Sequence, residues 1–118
     1  MYVTAMVIPV PEEKKEAYRR WAENSARLFM DYGCLEVVES WGDFVPKGKR
    51  TDFFRAVDAQ EGEAIVVNWQ IWPDRESFWA AEKRMHDDPR LEPTGEIPFD
   101  PTRLINGCFE PIHVAGRE

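Results

Sequence analysis

Cysteine is nearly missing from this 118-residue chain: Cys34 and Cys108 are the only two. They lack the spacing of a metal site, so we read them as reduced thiols that serve packing rather than redox chemistry. Basic residues are also short, 15 against 22 acidic ones, for a net charge of −7. That balance argues against nucleic acid or an anionic membrane as partner, because phosphate binding needs a basic stripe. The small basic cluster Lys47, Lys49 and Arg50 reads as a solvated turn. No apolar run approaches the ~20 residues of a membrane span. Met1 to Val10 has neither the basic start nor the long apolar core of a secretion signal. These features predict a cytoplasmic protein. No phosphate-binding glycine loop, nucleophile elbow or Cys/His cluster occurs. His86-Asp87-Asp88 lacks metal-site spacing, and neither a metal nor a cofactor is predicted.

What the chain has is apolar strand. The stretch from Glu63 to Trp72 is rich in β-branched and aromatic residues and stops against Pro73, so it predicts a strand. Alternation puts Ile65, Val67, Trp69 and Ile71 on one face. The other face carries Ala64, Val66, Asn68, Gln70 and Trp72. Neither face is a solvated one, so a layer is needed above and below.

Tyr2 to Val10 reads as the first strand, again mostly apolar on both faces and closed by Pro9 and Pro11. Pro11, Glu12 and Glu13 suit the first turn of a helix. Tyr18, Trp21, Ala22, Ser25, Leu28, Phe29 and Tyr32 then recur at steps of three and four, and Gly33 is a natural stop. Cys34 to Trp41 is a second strand, Gly42 to Arg50 a loop, Thr51 to Val57 a short extended piece, and Asp58 to Gly62 a turn. Asp74 is a good N-cap for a second helix, with Phe78, Ala81 and Met85 as its core stripe and Pro89 as its end. Arg90 to Thr102, with four prolines or glycines, is a loop with room for one short helical turn. Arg103 to Val114 is the last strand, and Ala115 to Glu118 a tail.

The order strand, helix, strand, strand, helix, strand predicts one α+β domain over residues 1–118, ferredoxin-like (βαββαβ), with an antiparallel sheet carrying both helices on a single face. The apolar surface on the other face predicts a homodimer, sheet packed on sheet, as a dimeric α/β barrel.

One family pattern runs through the chain. Gly33 to Trp41 leads into Asp43-Phe44-Val45-Pro46-Lys47-Gly48-Lys49-Arg50-Thr51-Asp52-Phe53, followed by Asp88-Pro89-Arg90, Pro98-Phe99-Asp100 and Arg103 to Glu110. In these motifs the chain resembles the uncharacterised YbaA-like family of bacterial proteins (DUF1428), of the dimeric α/β-barrel superfamily. The resemblance implies that fold, a homodimer and a cytoplasmic location, and no activity or catalytic residue.

Candidate site residues come from the strands. Asn68 and Gln70 are amides inside an apolar strand and need partners when buried. With Trp72 beside them and Trp41 and Trp69 as aromatic walls, they outline a pocket for a small-molecule ligand in the sheet–helix cleft. His86 falls near a helix C-terminus. In related barrels that act as small monooxygenases, cofactor-free or haem-linked, a helix histidine and a strand tryptophan meet in a pocket with a first-strand asparagine. Here the first strand offers Thr4 and no asparagine, so that enzyme reading stands second. A structural or interaction protein with a filled interior stands third. Glu39 shares a face with Leu35, Val37 and Trp41 and predicts a partner such as Arg55 or Arg103. Glu36 lies on the opposite face, which removes the two as an acid–base pair. His113 reads as structural or solvated.

Overall fold

Glu63–Trp72 is the second-from-edge strand of a four-stranded sheet in the computed structural model, which describes residues 1–91 and 95–116. Pro93 of the predicted loop and the last two residues of the predicted tail lie outside the described residues. In chain order the elements are β1 (Tyr2–Pro11), α1 (Lys15–Asp31), β2 (Glu36–Trp41), α2 (Phe53–Ala56), β3 (Glu63–Trp72), α3 (Arg75–Met85) and β4 (Ile105–Phe109). The sheet order is β2-β3-β1-β4, and every pair is antiparallel.

Register decides which side chains meet the helices. Tyr2, Thr4, Ile8 and Val10 of β1 and Val66, Asn68, Gln70 and Trp72 of β3 are all buried. Two apolar clusters form on this side. Tyr2, Cys34 and Trp72 pack with Leu28 of α1 and Phe78, Ala81 and Met85 of α3. Ile8, Val10 and Val66 pack with Tyr18 and Ala22 of α1 and with Phe99. The opposite side carries Val3, Ala5, Val7, Val38, Val67, Trp69 and Ile71, with Ile105 and Phe109 from β4. Its end is closed where Pro9 pairs with Ile65, both buried. The rest is open: Trp69, Ile105 and Phe109 are 36%, 45% and 56% exposed. The sheet is thus apolar on both sides and covered on one.

Five boundaries differ from the sequence-based expectation; the smallest is that β2 begins at Glu36 rather than Cys34. Pro11 closes β1, as its sequence position predicts, but does not open the helix: Glu12–Lys14 form a 3-10 turn before α1. A proline at a strand end costs no ladder bond. The predicted extended piece Thr51 to Val57 contains the short helix α2, because Asp52 caps it: its Oδ1 accepts from Arg55 N at 2.8 Å and its Oδ2 from Gly48 N at 3.1 Å. Gly48 is required there, since a Cβ would stand 2.1 Å from the Thr51 carbonyl oxygen. The second helix stops at Met85, short of Pro89, and Pro89–Leu91 form a 3-10 turn. The last strand covers only Ile105–Phe109, paired to Val3 through Val7. Pro111 has no N–H for the ladder, and Arg103 is held elsewhere.

That Arg103 forms a bidentate pair with Glu63, Nη1 to Oε1 at 2.6 Å and Nη2 to Oε2 at 2.7 Å, and donates to Asp58 O. Asp74 caps α3 by accepting from Ser77 N at 2.7 Å, as its sequence position predicts. Gly33 ends α1 in the left-handed region, at φ 104°, where a Cβ is costly. Among the described residues, no helix is long and apolar enough to cross a membrane.

Candidate functional site

A band of polar side chains lies between the two apolar clusters, under the helices. Thr4, Asn68 and Gln70 are its buried members. Gln70 Oε1 accepts from Trp72 Nε1 at 3.0 Å, which settles an amide and an indole within one strand. Asn68 faces Glu39 across the β2–β3 ladder, and its Nδ2 donates to Glu39 Oε2 at 2.8 Å. From α1, the Tyr18 hydroxyl donates to Glu39 Oε1 at 2.7 Å. Tyr18 belongs to the apolar stripe of α1, so helix periodicity aims it at the sheet.

This network is unusual in what it lacks. Among the described residues no cation neighbours Glu39, and its partners are two neutral donors. Burial raises the Glu39 carboxyl above the usual range, and the Tyr18 and Asn68 hydrogen bonds only offset it in part. Burial likewise pushes the Tyr18 phenol upward, helped by the adjacent carboxylate. Asn68 Oδ1 is fully buried and accepts no hydrogen bond among the described residues. A buried unmet carbonyl costs about 1–3 kcal/mol. Each Glu39 oxygen keeps a second lone pair, so it can accept from a bound molecule or take a proton from one.

A cleft of about 300 Å³ opens beside this network, between α1 and the β2 edge. Ala22, Ala26, Val37, Val66 and Trp41 form its walls, and Glu39 and Tyr18 its polar end. Lys15, Arg19 and Glu23, all exposed, line its rim. The Lys15 ammonium lies 5.3 Å from the centre of the Trp41 ring.

The residues singled out in the sequence separate into three places. Trp41 walls the cleft, and Asn68 reaches Glu39 behind it. Gln70 and Trp72 lie deeper in the same covered face. Trp69 points to the open side, opposite Val38, so it and Trp41 cannot wall one pocket. His86 follows the end of α3, in an open groove with Trp79, Glu82, Lys83 and Asp87; neither Trp69 nor Trp72 lines it. Glu39 has neither Arg55 nor Arg103 as partner. Arg55 pairs with Asp52 at 3.6 Å, and Arg103 with Glu63 and Asp100. Tyr18 was legible as a core residue and not as the carboxylate's donor. A tyrosine within an apolar stripe is the available signal, since its hydroxyl needs a partner. Among the described residues no group of His, Cys, Asp and Glu is placed to hold a metal ion.

Comparison with known proteins agrees with the motifs. Residues 1–101 match the family described as "Protein of unknown function (DUF1428)". The chain is 46% identical over 112 residues to "Uncharacterized protein YbaA" of Escherichia coli K12, covering 94% of this chain and 96% of that one. The YbaA of Shigella flexneri matches with the same figures. Among solved structures, the de novo designed protein Foldit4 is 17% identical, with a TM-score of 0.42 over 93% of this chain and 97% of the other; a likeness so distant carries no argument. On the family match and the near-full-length identity, the chain belongs to the DUF1428 family.

Proposed function

We propose that the chain is a cytoplasmic, ferredoxin-like homodimer of the dimeric α/β-barrel type that binds a small molecule in the cleft between α1 and β2. The strand order and the open apolar sheet face support the pairing. A face carrying Trp69, Ile105, Phe109 and five valines or isoleucines is too apolar to leave wet. Burying about 800 Å² per partner would make a standard stable interface.

The observation that carries the binding reading is the Tyr18–Glu39–Asn68 network with its orphaned Asn68 carbonyl. Folding alone would favour an apolar residue over a half-buried carboxylate with no cation. A binding site gives the group a use. A thermal-shift screen of metabolite pools tests this, since a ligand bound to the native state raises its apparent stability. Compounds should stabilise the wild type and not Ala26→Phe, which fills the cleft. A screen in which every stabiliser acts equally on both proteins would refute the reading.

A further inference from the structure

We infer that the cleft takes a small zwitterion, an amine whose ammonium meets Glu39 and whose carboxylate, one apolar spacer away, meets Lys15 and Arg19. The inference rests on the cleft being a binding site and adds the class of molecule. Its basis is the charge pattern. Glu39 is a partly buried carboxylate offset by no cation among the described residues, and a buried charge is normally paired. The cations of the cleft stand at its mouth. Lys15 and Arg19 are one helical turn apart on α1 and so share a face. Arg19 holds only a loose, exposed pair with Glu16 at 3.7 Å, and Lys15 rests on the Trp41 ring. Both are free to turn toward an anion.

Geometry sets the spacer. Glu39 and Trp41 share the covered face of β2, two residues and so about 7 Å apart along the strand. The Lys15 ammonium, 5.3 Å from the Trp41 ring centre, therefore stands beyond that interval, which leaves room for an apolar spacer between the two charges. Trp41 and Val66, paired across the β2–β3 ladder, give that interval apolar walls. Glu23 adds a second negative charge on the α1 wall, which disfavours a carboxylate at that part of the mouth. An ammonium on Glu39 would form charge-assisted hydrogen bonds, roughly twice as strong as those of a neutral hydroxyl.

Four compounds test the inference by titration into the isotope-labelled full chain, read at the NMR signals of Ala22, Ala26, Val37 and Val66. They are 4-(aminomethyl)benzoate, its neutral-headed analogue 4-(hydroxymethyl)benzoate, benzylamine and benzoate. The amino acid should bind at least tenfold more tightly than the other three. Glu39→Gln should weaken it at least tenfold and leave benzoate unchanged. Arg19→Ala, at an exposed position, should weaken all three carboxylates and leave benzylamine unchanged. Equal binding of the hydroxymethyl and aminomethyl compounds, or indifference to Glu39→Gln in a protein with a native spectrum, overturns the zwitterion while the moving cleft signals keep the binding site. Silence of the cleft signals with all four compounds also overturns the zwitterion. The binding site falls with it only if the metabolite screen finds nothing that Ala26→Phe blocks.

Discussion

A carboxylate held by a phenol and an amide, with no cation beside it, invites titration. Burial raises the Glu39 carboxyl, so the folded state holds the proton more tightly than the unfolded chain does. Its effect therefore favours the native state below the ordinary glutamate range and is lost as pH rises through the raised folded value. Replacing it with the neutral isostere removes that loss. Glu39→Gln should match or exceed the wild-type Tm at pH 7 and fall behind it at pH 4, a crossing that thermal melts at the two pH values would reveal. Asn68→Asp should do the opposite. It sets a second carboxylate against the first where 2.8 Å now separates donor from acceptor. We expect a loss of about 3–5 kcal/mol at neutral pH, with recovery in acid, measured by urea unfolding. A third test concerns the thiols. Cys34 is buried, its Sγ donates toward the Glu36 and Ile71 carbonyls at 3.3 and 3.4 Å, and burial raises its pKa. Cys108 is exposed. Alkylation under native conditions should label Cys108 quickly and Cys34 only after unfolding. Equal rates at both would contradict the packing described for Cys34.

Among the elements, α2 depends most on local geometry. Asp52 holds it through two backbone N–H groups, and those N–H groups keep the Asp52 carboxyl below its usual range. Gly48 has no room for a side chain. Asp52→Ala should cost about 1 kcal/mol, the usual worth of a cap, and Gly48→Ala more, both read as shifts in the urea midpoint. This element also marks the limit of the sequence. Strands and long helices were legible because their apolar residues recur at periods of two and of three to four. The four residues of α2 are too few to show a period, and Phe53, Arg55 and Val57 imitate a strand. The Asp52 cap was present in the sequence but fell in the middle of the apparent strand. The site was legible by half. Asn68 and Trp41 could be found because polar and aromatic residues stand out in an apolar strand. The Tyr18–Glu39 bond joins residues 21 positions apart on different elements, and only the packing of α1 on β2 brings them together. Trp69 was misplaced in that pocket although alternation already sets it on the face opposite Asn68 and Gln70; the register between strands adds that Trp41 shares the Asn68 face.

At the scale of the whole molecule, the sheet is a divider with different work on each side. The covered side holds the cleft and its carboxylate; the open side is the proposed pairing surface. The two functions should then separate by mutation. Trp69→Glu should weaken pairing at least tenfold in sedimentation measurements and leave the Tyr18–Glu39–Asn68 network in place, because Trp69 and Asn68 face opposite ways. The measurement that reaches the central claim most directly is native mass spectrometry of the full chain purified without denaturant, beside Glu39→Gln treated in the same way. The account predicts a species at twice the 13.8 kDa chain mass, carrying a small bound compound in the wild type that is absent from the variant. A lone chain at micromolar concentration, or the same bare mass in both proteins, would contradict it.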